Sequence, residues 1–222
     1  MRTDRLLLST QPMARFDGLV LDTAEPARAA AFWSIALGRS IVRPHRVCAI
    51  AADGRVHLDL GSPGAGPEPL LAAGARPLHP PAADARCEFA DPEGNRFRTD
   101  PHLPYGVFRL VVECPRPRRV ARWWAEVIGG RATDDGGSTT VGTLSGFPGS
   151  SLRFSPAPPG SGPAHGHFSW HLVTQGREFA ALVAAGARMM SRPAEPHGSW
   201  LLADPDGNRF RVTDASADRY IG

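Results

Sequence analysis

Two short, mostly apolar runs, Gly18-Leu19-Val20-Leu21-Asp22 and Val107-Phe108-Arg109-Leu110-Val111-Val112-Glu113, each lead into an Ala/Arg-rich stretch that carries an adjacent aromatic pair. The runs read as strands and the stretches as helices. Pro26 and Pro117 occupy first-turn positions, where the missing N–H costs nothing, and Gly38 or Gly129-Gly130 supplies the stop. The pairs Phe32-Trp33 and Trp123-Trp124 predict the face by which each helix is anchored onto a sheet. Further on, His57-Leu58-Asp59-Leu60 and His167-Phe168-Ser169-Trp170-His171-Leu172 predict strands, each followed by a helix ending at Gly74 or Gly186 and then a hairpin.

The pattern is a duplication. Asp91-Pro92-Glu93-Gly94-Asn95-Arg96-Phe97-Arg98 returns as Asp204-Pro205-Asp206-Gly207-Asn208-Arg209-Phe210-Arg211. The landmarks are offset by 91 (Phe32 to Trp123), 110 (His57 to His167), 112 (Gly74 to Gly186) and 113 (Asp91 to Asp204). The second copy is therefore longer between its first helix and its His-led strand. There Ser138–Leu144 and Ser151–Phe154 read as strands and Ser155–Gly166 as a Pro/Gly/Ser linker, whereas the first copy compresses the region into Ser40–Gly54 and is expected to have lost a strand. The Asp-Pro-x-Gly-Asn element reads as a hairpin turn in which Asn95 and Asn208 satisfy backbone groups. Each copy reads β-α-β-β(-β)-β-α-β-β, an α+β class with helices on one face of mostly antiparallel strands. The organisation is a disordered leader at 1–14, two domains at 15–101 and 105–214, and a tail at 215–222.

Composition removes whole function classes. The 222 residues hold 25 basic and 22 acidic side chains, net +3, with no basic run to track a phosphate backbone, so nucleic acid is not an expected partner. Every basic residue is Arg, which excludes a P-loop lysine and a Schiff-base lysine. Cys48, Cys87 and Cys114 fit neither a disulfide framework nor a zinc ribbon. No apolar run reaches signal-peptide or membrane-span length, so a cytoplasmic protein with no membrane partner is expected.

The order of elements resembles the vicinal oxygen chelate superfamily of glyoxalases, bleomycin-resistance-type binding proteins and extradiol dioxygenases, most closely its glyoxalase-like subgroup. The resemblance rests on D-x-A-E-P…A-A-F-W…A-L-G (Asp22 to Gly38), R-V-H-L-D-L (Arg55 to Leu60), A-A-G-A-R (Ala72 to Arg76 and Ala184 to Arg188) and the doubled D-P-[ED]-G-N-R-F-R, over nearly all of residues 15–213. It implies tandem glyoxalase-like domains of paired β-α-β-β-β modules, the first shortened, with strands curling into a cleft. It also implies a divalent metal held by His or Glu on cleft-facing strands. Carried over by position, the first-strand ligand falls at Gly18 and Arg109, the ligand beginning the fifth strand at His57 and His167, and the last-strand carboxylate at Arg98 and Arg211. A guanidinium that never deprotonates thus replaces an anion, and the usual metal site is expected to be absent, with no cofactor assigned.

Three readings of the polar positions stay open. An alternative His57/Asp59/Asp22 or His167/His171/Glu113 cluster would hold a divalent metal. Alternatively Arg98 or Arg211 pairs internally with Asp22, Asp59 or Glu113, or binds an anionic group of a ligand. The expected function is binding of a small organic molecule in a metal-free cleft of the second copy lined by Arg109, Glu113, His167, His171, Trp170 or Trp200, and Arg211. His57, Asp59 and Arg98 are the corresponding candidates in the first copy. The enzyme alternative, of isomerase, lyase or dioxygenase type, is either metal-free, with His167 or His171 a general base oriented by Glu113 and Arg211 stabilising an enolate or carboxylate, or metal-dependent, with the alternative His/acid cluster holding a divalent ion that polarises substrate oxygens. Met189-Met190 would border the same cleft, and His45, His79, His102, His165 and His197 read as solvated loop residues. Whether the two copies close one shared site or pair across a homodimer stays open at this level.

Overall fold

A computed structural model of the chain describes residues 12–21, 23–40, 56–62, 66–80, 86–142, 144, 147, 149–157, 168–174, 177–193 and 198–215. The expected lost strand at Ser40–Gly54, the linker from residue 158 onward, His167 and Asp22 all lie essentially outside these residues. In the first copy the elements are β1 (Arg15–Leu21), α1 (Pro26–Ala36), β2 (Val56–Leu60), α2 (Glu68–Ala72), β3 (Arg76–Pro77), β4 (Cys87–Ala90) and β5 (Arg96–Thr99). In the second they are β6 (Phe108–Cys114), α3 (Pro117–Ile128), β7 (Arg131–Asp135), β8 (Ser138–Gly142), β9 (Ser151–Pro156), β10 (Phe168–Thr174), α4 (Arg177–Ala184), β11 (Arg188–Ser191), β12 (Trp200–Ala203) and β13 (Arg209–Asp214). Pro26 and Pro117 open their helices, and Gly38 and Gly129 stop them at φ of 60° and 74°, a conformation that a side chain resists. The polar edge strand β7 was not visible in the apolar pattern. No helix among the described residues is long and apolar enough to cross a membrane.

The α+β class holds, but the strands pair across the duplication. One sheet has eight strands in the order β3-β4-β5-β2-β6-β9-β8-β7, and the other has five in the order β1-β10-β13-β12-β11. The seam of the larger sheet joins the two copies: β2 runs antiparallel to β6 with Asp59 opposite Arg109, and β1 likewise joins β10 with Gly18 opposite His171. Each seam covers backbone edges that either copy alone would leave open.

The helices secure this arrangement through their aromatic pairs, as anticipated. Trp33 and Phe32 pack on Phe97 of β5 at centroid distances of 5.5 and 5.7 Å, and Trp124 packs on Phe210 of β13 and Trp170 of β10 at 4.9 and 5.2 Å. The second residue of each pair also donates its indole N–H to a buried carboxylate in the Asp-Pro-x-Gly-Asn turn, Trp33 to Asp91 Oδ2 at 3.1 Å and Trp124 to Asp204 Oδ2 at 3.0 Å. The helix that follows a strand of one sheet is thereby tied to a hairpin of the other.

Inside the turn the aspartate, rather than the asparagine, satisfies the backbone. Asp91 Oδ1 accepts the N–H groups of Glu93 and Asn95 at 2.9 and 2.8 Å, and Asn95 Nδ2 donates to Asp91 Oδ2 at 2.8 Å. Asp204, Asp206 and Asn208 repeat the scheme at 2.9, 3.0 and 2.7 Å. A carboxylate has room for about four such donors, and a buried one needs them. Trp124→Phe, which keeps the ring but removes one donor from Asp204, is expected to lower stability by about 1–3 kcal/mol. The check is urea unfolding followed by circular dichroism, with Trp33→Phe giving a similar loss.

Candidate functional site

On β2 the residues Val56, Leu58 and Leu60 turn toward the helices, so His57 and Asp59 stand on the opposite face of the eight-stranded sheet. Lateral pairing extends that face. Asp59 lies opposite Arg98 on one side and Arg109 on the other, Arg98 opposite Glu88, and Arg109 opposite Ser151. Acids and guanidiniums therefore alternate across neighbouring strands. Arg98 Nη1 is 3.0 Å from His57 Nε2, its Nη2 is 3.5 Å from Glu113 Oε1, and its Nε donates to Glu88 Oε1 at 3.4 Å. Arg109 Nη1 lies 3.9 Å from Asp59 Oδ2 and 3.8 Å from Asp100 Oδ2, and its Nε donates to Ser151 Oγ at 3.3 Å. Arg96 and Arg86 close the ends on Glu88 and Asp100 at 2.6 and 2.9 Å.

Burial and these cations set the protonation states. Desolvation, reinforced by Arg98 and then Arg96, pushes the His57 pKa down to about 3, so the ring is neutral and accepts from Arg98. Burial raises the Asp59 carboxyl against the opposing pull of Arg98, Arg86 and Arg109. Asp100 moves the other way: desolvation acts to raise it, but the His102 N–H and the Arg86 guanidinium outweigh that and hold it low.

The donor set does not suit the divalent ion that the resemblance implies. His57 Nε2 is already met by a guanidinium, and among the described residues no three His, Cys, Asp or Glu side chains converge. A dication about 4 Å from a guanidinium would meet a repulsion of about 8 kcal/mol at an effective dielectric of about 20. Of the three readings left open by the sequence, internal pairing describes Arg98, although its partner Glu113 comes from the other copy.

The five-stranded sheet carries the remaining candidates. Arg211 on β13 and Gly18 on β1 flank His171, and Arg211 Nη1 donates to Ser199 Oγ at 3.3 Å. His171 Nδ1 is 3.0 Å from Asp17 Oδ2 and its Nε2 is 2.7 Å from Thr213 Oγ1. Burial lowers the His171 pKa, Asp17 opposes the shift and Arg211 adds to it.

The expected cleft of the second copy is thus divided. Arg109 and Glu113 join His57, Asp59 and Arg98 on one sheet, while His171 and Arg211 stand on the other. Glu113 does not orient His171, because the carboxylate at that ring is Asp17. Trp170 is fully buried against Trp124, and Trp200, paired with core residue Val212, packs on Phe179 at 4.9 Å, so both turn toward the helices and away from the polar face. Met189 and Met190 are exposed, as are His79 and His102, while His45, His165, His167 and His197 lie outside the described residues.

Register also corrects the alignment of the copies. Asp59 faces Arg98 and Arg109, and the residue facing their counterparts Arg211 and Gly18 is His171. His171 is therefore the counterpart of Asp59, and Ser169, rather than His167, that of His57. Asp17 and Thr213 were missed. Thr213 is two residues from Arg211 and alternation could have found it, but Asp17 lies at a β-bulge between Phe16 and Gly18, where alternation fails.

The lowered His57 pKa has a stability consequence of definite sign. Between about 3 and 6.5 the unfolded chain binds a proton that the folded ring refuses, so this contribution is present above pH 6.5 and is lost on acidification. The slope is about 1.4 kcal/mol per pH unit. His171 acts in the same direction and Asp59 in the opposite one, so the test is a difference: His57→Gln should flatten the pH dependence of urea unfolding relative to the parent chain below pH 6.5. Arg98→Gln should raise the His57 pKa in an NMR titration.

Comparison with known proteins gives this geometry its relatives. Glyoxalase I from Zea mays is 12% identical and aligns over 93% of this chain and 94% of its own at a TM-score of 0.59, and its V278E variant reaches 0.62 over the same shares. A Bacillus subtilis protein described as a candidate dioxygenase is 11% identical, covering 93% of this chain and 86% of its own at a TM-score of 0.57. At such identities the likeness is one of fold. No curated protein matches the chain in sequence. The profile of the glyoxalase-like domain matches twice, at residues 18–99 and 109–213, and the chain belongs to the glyoxalase-like domain family as a tandem member of the vicinal oxygen chelate fold.

Proposed function

We propose that this protein binds a small organic molecule bearing a carboxylate or comparable acidic group on the polar face of the eight-stranded sheet, without a divalent metal. The observation that carries this reading is Arg98, a permanent cation in contact with His57 and paired with Glu113 across the seam of the two copies. Arg98 and Arg109 keep 34% and 19% of their side-chain surface exposed, while His57 and Asp59 beneath them are almost wholly covered. A ligand carboxylate arriving from solvent meets two guanidiniums whose present carboxylate contacts lie at 3.4–3.9 Å, long enough to be exchanged for shorter, bidentate ones. Neutral His57 adds no further positive charge beside the two guanidiniums, and Leu58, Leu110 and Phe97 are buried behind the strands. The glyoxalase I activity of the maize relative is not transferred, because at 12% identity the likeness is one of fold.

The test joins metal analysis to a thermal-shift screen of small mono- and dicarboxylic acids. Protein purified without chelator should carry no stoichiometric zinc, manganese or iron, and the shift caused by a binding acid should persist in EDTA. Arg98→Gln and Arg109→Gln should each weaken that acid by about 10- to 100-fold, the loss of one charge-assisted contact of about 1.5–3 kcal/mol. Stoichiometric metal that departs in His57→Gln would overturn the reading.

A further inference from the structure

The five-stranded sheet holds a chain of hydrogen bonds that ligand binding on the other sheet does not use. Asp17 comes from the bulge in β1, His171 from β10 and Thr213 from β13, positions separated by 154 and 42 residues that meet only through strand pairing. Their donor and acceptor roles follow from the chemistry of the groups. An ionised carboxylate only accepts, so the proton at the 3.0 Å contact belongs to His171 Nδ1. In the neutral ring Nε2 is then the bare nitrogen, and it accepts the Thr213 hydroxyl proton at 2.7 Å. Burial, with Arg211 adding, holds the ring toward that neutral form.

The surroundings leave room for a reactant. Thr213 is half-buried, and His171 keeps 21% of its side-chain surface exposed. Gly18 is the cross-strand partner of His171, and among the described residues nothing lies within 4 Å of where a Cβ on Gly18 would stand. On the other side of His171 its partner Arg211 places a permanent cation on the same face.

We propose that Asp17, His171 and Thr213 form a nucleophilic hydroxyl site that accepts an acyl group from a small carboxylic ester. Thr213 Oγ1 adds to the ester carbonyl carbon as its proton passes to His171 Nε2, and the oxyanion so formed faces Arg211. Collapse breaks the bond to the alcohol oxygen, which leaves with the proton from Nε2, giving acyl-Thr213. A water molecule repeats the sequence: its proton goes to Nε2, its oxygen adds to the acyl carbon, and Thr213 departs and recovers the proton. One ester and one water become one acid and one alcohol. Thr213 and His171 are the catalytic residues, and Asp17 is a positioning residue that fixes the ring's tautomer.

The experiment uses the full chain and p-nitrophenyl acetate, whose leaving group is coloured. Expected are a burst of p-nitrophenolate and an acetyl group located on Thr213 by peptide mass spectrometry. Thr213→Val should abolish both and Thr213→Ser should retain them. His171→Gln should slow the burst by about 100-fold or more. Gly18→Val should suppress acetylation by filling the space over the ring while leaving all three groups in place. Asp17→Asn should remove the Nδ1–H tautomer signature of His171 from the ¹⁵N NMR spectrum, a change that lost packing alone would not produce. Circular dichroism of each variant separates lost chemistry from lost fold. Acetylation elsewhere than Thr213, none above that of the urea-unfolded chain, or an equal rate in folded Thr213→Val would each overturn the proposal.

Discussion

A tryptophan N–H given to a buried aspartate, made twice, is the constraint from which the rest of this architecture follows. A carboxylate removed from water must be surrounded by donors, and Asp91 finds two backbone N–H groups, an asparagine amide and the Trp33 indole. The first three set the turn; the fourth decides which helix lies over it. Because Trp33 follows a strand of the five-stranded sheet while Asp91 belongs to the eight-stranded one, this bond ties the two sheets to each other in addition to their shared apolar core, and Trp124 with Asp204 does so in the reverse sense. The burial of Asp204 raises its pKa despite these donors, a measure of how far the site has been taken from water.

The fixed turn also aims the strand that leaves it. Arg98 stands three residues beyond Asn95, and Arg211 three beyond Asn208, so the locked hairpins deliver one guanidinium to the polar face of each sheet. What surrounds the two cations differs. On the larger sheet Arg98 enters an alternating row of acids and bases, in which each charge finds a partner on a neighbouring strand and a dication would find repulsion. On the smaller sheet Gly18 contributes no side chain, and the space it leaves lies beside a histidine with a carboxylate on one nitrogen and a hydroxyl on the other. One duplicated frame therefore presents two chemically distinct faces.

Local chemistry was legible in the chain itself. The proline-opened, glycine-stopped helices, the aromatic pairs that anchor them and the turn repeated at Asp91 and Asp204 follow from backbone geometry and side-chain size, which act over a few residues. The positive charge at Arg98 and Arg211 was equally visible, since a guanidinium is a cation wherever it is placed. The two-residue slip that aligned His57 with His167 was not, because side chains on a strand alternate with a period of two and a shift of two leaves every residue on its original face. Only the pairing of Asp59 with Arg98 and Arg109, and of His171 with Arg211 and Gly18, reveals the true correspondence.

The duplication, the α+β class and the turn were thus determined by sequence alone, through interactions whose range is a turn of helix or a hairpin. Which copy's residues meet was decided by tertiary structure. Exposed strand edges are satisfied by whichever edge can reach them, and here β2 met β6 and β1 met β10, so Glu113 went to Arg98 and Asp17 to His171. No periodicity records such a choice, since it is made between backbone groups that every residue carries alike.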